Sequence, residues 1–151
     1  MPNKKKNRKI AMPPIMEGYK PFGIPLREIE SVNLLFEEFE AIRLADYENL
    51  TQEEAAEKMR ISRPTFTRLY EKARKNIAKA FVEGKVILIH GGTYVTDDYW
   101  YRCYNCQEIM ISMKPSKKCR TCDSNDITQI NNQLENAAKG SFVAIKAKKH
   151  E

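Results

Sequence analysis

Between residues 34 and 83 the apolar positions recur at helical intervals, and after that they change to short unbroken runs. Leu35, Phe39 and Ile42 give one apolar stripe, which predicts a helix over 34–46 with Glu37, Glu38 and Glu40 on an opposite, acidic face. Thr51-Gln52-Glu53-Glu54 has the form of a capping box, so a short helix is expected from 52 to about 59. After the turn Arg60-Ile61-Ser62, Ser62 is placed to cap a second helix, with Pro64 tolerated in its first turn. That helix carries Leu69, Ala73, Ile77 and Ala80 along one face and stops at Gly84. Two helices joined so tightly form a helix-turn-helix, whose second helix commonly enters a DNA major groove. Ala55, Met59, Ile61, Phe66 and Leu69 are expected to face inward, with Ala56 small where the helices meet.

The later runs predict strands. Residues 85–90 (KVILIH) and 93–96 flank Gly91-Gly92 and are expected to form a hairpin. Residues 108–113 (EIMISM) supply a further strand. Two prolines in 19–25 forbid helix and favour an ordered turn or extended piece. The expected organisation is a basic flexible arm (1–14), a helix-turn-helix domain (15–92), a zinc-ribbon module (93–130) and a polar basic tail (131–151), in which Phe142, Val143 and Ile145 could add late strand contacts. The expected fold class is mainly α, a helix-turn-helix domain followed by a small β zinc ribbon.

Charge sharpens this picture through its distribution. The net charge of +6 divides unevenly. Residues 1–25 hold six bases and one acid, 26–59 three bases and ten acids, 60–92 eight bases and two acids, and 93–151 nine bases and seven acids. The positive charge therefore gathers on the arm and the second helix of the motif, a polarity that suits oriented docking on a polyanion. No run approaches the ~18–20 apolar residues that span a bilayer. The basic N-terminus is followed by no apolar core of a signal peptide, and a cytoplasmic location with no membrane partner is expected.

Cys103-Tyr104-Asn105-Cys106 and Cys119-Arg120-Thr121-Cys122 form two CxxC knuckles separated by twelve residues. Four thiolates in this pattern suit a tetrahedral structural zinc, with Cys103, Cys106, Cys119 and Cys122 as ligands. Iron uses the same ligands and stays open. Four thiolates leave no open position for a catalytic water, and no enzymatic activity is expected. His90 and His150 lie outside the knuckles.

Several segments resemble one family: Lys20-Pro21-Phe22-Gly23-Ile24-Pro25, Glu38-Phe39-Glu40-Ala41-Ile42-Arg43-Leu44-Ala45-Asp46, Gln52-Glu53-Glu54-Ala55-Ala56 and Ser62-Arg63-Pro64-Thr65-Phe66. Their order and spacing are similar to the prokaryotic domain-of-unknown-function 134 family, over about residues 10–92. The motif also looks like region four of sigma factors. The resemblance implies a DNA-binding, regulatory role. Two positions depart from the family pattern. Arg60 stands where members usually have glycine, and Asn7 lies where many carry a cysteine, so the arm is not expected to share in metal binding.

On this reading Arg63, Thr65, Thr67 and Arg68 are candidates for base contacts, and Gln52, Arg60, Lys72 and Lys75 for phosphate contacts. Lys4, Lys5, Lys6, Arg8 and Lys9 could follow the DNA backbone or enter a minor groove, and the same run would suit a solubilising tail. The expected function is sequence-specific binding of double-stranded DNA in transcriptional regulation. A zinc-ribbon adaptor docking on the transcription machinery and a thiolate metal or redox sensor are the alternatives. A homodimer is a further expectation, because a palindromic site would require one.

Overall fold

The computed structural model describes residues 8–25 and 30–131. The elements run β1 (Arg8–Lys9), β2 (Gly18–Tyr19), β3 (Ser31–Leu34), α1 (Phe36–Ile42) continued by a π-helical turn (Arg43–Tyr47), α2 (Gln52–Lys58), α3 (Arg63–Glu83), β4 (Val86–Ile89), β5 (Tyr94–Val95), β6 (Tyr99–Cys103), β7 (Ile109–Ser112) and β8 (Ile127–Gln129). Eight strands in three sheets accompany the helices among the described residues, so the fold is mixed α/β and not mainly α. The expectation failed because most of these strands are two to four residues long. Alternation cannot register over such lengths, and long-range partners hold them in place.

The hairpin expected around Gly91-Gly92 does not form. β4 is the central strand of β2-β4-β3, antiparallel to β2 and parallel to β3. An unbroken VILI run suits a strand flanked on both edges. β5 pairs instead with β1, in parallel, Arg8 opposite Tyr94. The two glycines carry the chain past α1: the Phe36 amide donates to Gly91 O at 3.1 Å, and the Thr93 amide to Glu37 Oε1 at 3.4 Å. A Cβ on Gly92 (φ 109°) would sit 2.9 Å from that same oxygen.

Two apolar clusters form the core. One contains Ala41, Leu44, Ala55, Ala56, Met59, Phe66 and Leu69, where α1, α2 and α3 meet. The other contains Ile10, Leu34, Phe36, Ala73, Ile89, Tyr94 and Trp100. It draws on β1's successor residue, on β3 to β6 and on α1 and α3. The boundary expected at 92/93 therefore passes through a shared core, and Ile10, placed in the arm, is 1% exposed.

The acidic face expected on α1 is also corrected. Glu37, Glu38 and Glu40 are buried, at 2%, 1% and 1% exposure. Each is compensated, as buried charge must be. Arg8 Nη1 donates to Glu37 at 3.0 Å, and the Arg43 fork donates to both Glu40 oxygens at 2.9 and 2.7 Å. Glu38 accepts from Asn76 Nδ2 at 3.1 Å and has Lys72 Nζ at 3.7 Å. Burial nevertheless pushes the Glu38 carboxyl above its ordinary range, against Asn76 and Lys72.

A raised carboxyl pKa means the folded state holds its proton more tightly, so stability falls as pH rises above the unfolded value of ~4.3. Glu38→Gln is expected to raise the melting temperature at pH 7, and the gain should vanish below about pH 4. Calorimetry across that range checks it. Trp100→Ala is expected to cost about 3–5 kcal/mol in urea unfolding and to weaken the whole chain, not the β6–β8 sheet alone.

Candidate nucleic-acid interface and metal centre

The helix-turn-helix is closed at both ends by its own sequence. Thr51 Oγ1 accepts from the Glu54 amide at 3.2 Å while Glu54 Oε2 accepts from the Thr51 amide at 3.3 Å, a complete capping box. At the other end of α2 the Arg60 amide donates to Glu57 O and the Ile61 amide to Ala56 O, both at 3.0 Å. This is a Schellman closure with arginine at the left-handed position, φ 56°. Glycine would adopt it without the ~1 kcal/mol that a Cβ costs. Ser62 Oγ accepts from the Thr65 amide at 3.3 Å and so caps α3. The inward set Ala55, Ala56, Met59, Phe66 and Leu69 is buried, and Ile61 packs against it half-buried.

The candidate DNA-contact residues divide by what already holds them. Arg63 and Arg68 are exposed on the first two turns of α3, Arg63 with only a loose 3.6 Å pair to exposed Glu53. Thr65 receives the Ser62 hydroxyl at 2.8 Å, and the Thr67 hydroxyl bonds Gln52 Oε1 across the two helices. Thr65, Thr67 and Gln52 thus shape the motif. Lys72 and Lys75 are exposed further along α3. Lys79, which the sequence reading passed over, joins them: Arg68, Lys72, Lys75 and Lys79 recur at i, i+4, i+7 and i+11 and are all exposed. That spacing was visible in the sequence. Arg60 is exposed beside the turn.

Arg8 and Lys9 are not part of a free arm. Arg8 is tied to Glu37, and Lys9 Nζ lies 2.8 Å from Asp97 Oδ2. The Lys9 amide donates to Met59 O at 3.0 Å, so β1 closes the end of α2. Lys4, Lys5 and Lys6 lie outside the described residues, as does the tail beyond Asn131.

The four cysteines come together at the end of β6 and in the turn before β8. Their sulfurs all lie within 4.8 Å of one another. Cys103 to Cys122 is 3.6 Å and Cys106 to Cys119 is 3.7 Å. A disulfide would need ~2.05 Å. A tetrahedron with ~2.3 Å metal–sulfur bonds has edges of about 3.8 Å, so the spacing fits one metal ion. The two knuckles repeat one geometry. Gln107 and Asp123, each just after a second cysteine, are left-handed at φ 64° and 58°. The Glu108 amide then donates to Cys106 Sγ and the Ser124 amide to Cys122 Sγ.

Asn105 Nδ2 also donates to Cys122 Sγ, at 3.5 Å. Asn105 and the Ser124 amide bring this thiol down to about 6. The amides of Cys122 and Thr121 lower Cys119. Cys119 and Cys122 are thus drawn toward the thiolate form, while against the Glu108 amide, burial and the three neighbouring cysteines push Cys106 up to about 12, so in the metal-free cluster the four thiols do not ionise together. The Asn105 contact went unnoticed in the sequence, because nothing in CxxC spacing requires it.

The site is joined to the rest of the chain by Arg102 and Tyr104, which flank Cys103. Arg102 Nη1 donates to Ile15 O at 3.2 Å, and Tyr104 Oη donates to Glu17 Oε1 at 3.2 Å. No described helix is long and apolar enough to cross a membrane.

The sequence pattern of the family described as "Protein of unknown function DUF134" matches residues 1–97. The chain belongs to this family. Among its DUF134 relatives, a "UPF0251 protein" of Halothermothrix orenii is 48% identical over 101 residues, covering 67% of this chain and 75% of the relative. One of Chloroherpeton thalassium is 42% identical over 129 residues, 84% and 85% of the two chains. One of Methanothermobacter thermautotrophicus is 42% identical over 131 residues, 86% and 68% of the two chains. No solved structure matches the chain. The family match covers the helix-turn-helix and ends before the cysteines.

Cobalt titration of the reduced, metal-free DUF134 chain is expected to saturate at one ion per chain with thiolate-to-cobalt absorption. Cys106→Ser or Cys119→Ser should weaken binding by an order of magnitude or more, measured by competition with a chelator.

Proposed function

We propose that this chain is a sequence-specific double-stranded DNA-binding protein, a transcriptional regulator that reads the major groove with α3 and performs no catalysis. One observation carries the reading. A capped helix, a left-handed turn and a second capped helix pack over a shared core and leave Arg63, Arg68 and a stripe of lysines exposed on α3. Arginine forks suit guanine edges, and Lys72, Lys75, Lys79 and Arg60 suit phosphates. Thr65, Thr67 and Gln52 act mainly by fixing the relation of the two helices. The likeness to sigma region four belongs to this same proposal.

Zinc is the metal we assign to the four thiolates. A closed tetrahedral sulfur set suits a structural ion without redox chemistry. Cys103, Cys106, Cys119 and Cys122 would hold it, and its role is to fix β6 and the turn before β8. The adaptor alternative is less favoured, because β6 is buried in the common core and the ribbon offers no independent module.

The test is selection from a pool of random duplexes at near-physiological salt, followed by fluorescence anisotropy on the enriched sequence. The expected result is a defined motif and a loss of about 30-fold or more in affinity for Arg63→Ala with Arg68→Ala. Lys75→Ala should weaken all sequences alike and reduce the salt slope by about 1. No enrichment, with weak binding unchanged in the double variant, would overturn the proposal.

A further inference from the structure

A second basic surface lies apart from α3. Residues 113–120, between β7 and the second cysteine knuckle, hold Lys114, Lys117, Lys118 and Arg120 and no acid. All four bases are exposed. The loop that carries them is pinned at several points. Ser112 Oγ donates to Lys114 O at 2.7 Å and accepts from the Lys114 amide at 3.3 Å. The Ser116 amide donates to the hydroxyl of buried Tyr101 at 3.0 Å, and Ser116 Oγ donates to Lys118 O at 3.0 Å. Cys119 anchors the far end in the cysteine cluster. A backbone fixed in this way presents its lysines at set positions, so less ordering entropy opposes a contact there.

Strand register places this loop on the side of the helix-turn-helix. Tyr99 lies opposite Ser112, so the chain leaves β7 at the start of β6, away from the first knuckle. Two residues before Tyr99 stands Asp97, which Lys9 Nζ meets at 2.8 Å. The Lys9 amide in turn donates to Met59 O, next to Arg60 in the turn of the motif. Lys9, and after it Arg60, hold the Asp97 carboxyl below its ordinary range, which brings Arg60 to the same place. With ~4.8 Å between strands and ~3.3 Å per residue along one, Ser112 lies within about 12 Å of Asp97. α3 itself begins at Arg63, just past Arg60.

Neighbouring acids leave the loop positive. Asp97 is paired with Lys9, and Asp98 is half-buried. Asp123 lies 3.5 Å from Lys118 with both ends exposed, a weak pair that a phosphate can replace. Lys114 and Lys117 have no acidic partner among the described residues. Lysines on a rigid turn, with no pocket between them, suit the regularly spaced charges of a duplex backbone.

We propose that the loop of residues 113–118 is a second DNA contact, in which Lys114, Lys117 and Lys118 hold the phosphate backbone flanking the stretch that α3 reads. This contact rests on the DNA-binding proposal and extends it from one helix to two separate grips on the same duplex. It also gives the cysteine cluster a part in recognition, since Cys119 fixes the far end of the loop.

The test is hydroxyl-radical footprinting and anisotropy of the metal-loaded full chain on a duplex carrying the selected motif, with about one helical turn of extra DNA on each side. The expected footprint covers the motif and one flank. Lys114→Ala with Lys117→Ala, both at exposed positions, should keep the wild-type melting temperature and lose the flank protection. The same variant should bind about tenfold more weakly, with the salt slope reduced by about 2. Lys114→Arg with Lys117→Arg should behave as wild type. On a duplex trimmed to the motif, wild type and the alanine variant should bind alike. Flank protection and salt slope unchanged in the alanine variant would overturn the proposal. So would an equal loss on the trimmed duplex, which marks a general effect of net charge. Either result leaves the α3 reading standing, whereas a wild-type chain that selects no motif overturns both.

Discussion

The seat of Trp100 is the constraint on which the molecule depends. The indole is 1% exposed and stacks on Tyr94 at 6.3 Å, while Tyr94 meets Phe36 edge-on at 5.3 Å. Those rings join β6, β5 and α1, and Ala73 brings α3 into the same cluster. Trp100 stands three residues before Cys103 on one strand, so the cysteine cluster and the helices share a rigid element. Around the same strand Asn131 accepts from the Trp100 amide at 2.8 Å and donates to Thr96 and to Asp98 O. A buried polar network with its partners in place fixes one arrangement of the strands, where an apolar core alone would tolerate several.

The buried carboxylates of α1 play a related part on the other side of the core. Glu37 holds Arg8, Glu40 holds Arg43, and Glu38 holds Asn76 of α3. The first pair links α1 to β1 and the third links it to α3, while Glu40 and Arg43 close an i,i+3 pair within the helix and its continuation; the two long-range pairs set where the helix lies. Ion pairs of this depth add little net stability over apolar replacements. Their contribution is to specify position, and α1 is the support on which α2 and α3 rest.

What could be read from the sequence follows the range of the interactions. The caps at Thr51 and Ser62 and the inward residues of α2 and α3 are set within a few residues of chain, and each was legible there, while an arginine gives no local sign of the left-handed φ that Arg60 adopts. The cysteine cluster was legible for the same reason, since ligand spacing is local within each knuckle. The sheets were not. β1 and β2 are two residues long and exist because Tyr94 and Leu88 lie opposite them. Glu37 and Glu38 read as solvated because their partners Arg8 and Asn76 lie far along the chain and meet them only after folding, whereas Arg43, three residues from Glu40, was a local partner the sequence did offer. Lys79 is the opposite case: its spacing from Arg68, Lys72 and Lys75 is plain in the sequence.

The pairing of β1 with β5 has a consequence for the order of events on the ribosome. Arg8 leaves the exit tunnel early, yet its strand partner Tyr94 is made only after both helices of the motif. Local contacts of α2 and α3 can form as they emerge, whereas the strand that closes the end of α2 through Met59 must wait for the second half of the chain. Until then the first-made segment is the last to be placed. A nascent chain stalled before residue 94 carries α3 without the strand that closes the end of α2, and the growing polypeptide gains its finished helix surface only when the aromatic strand has followed.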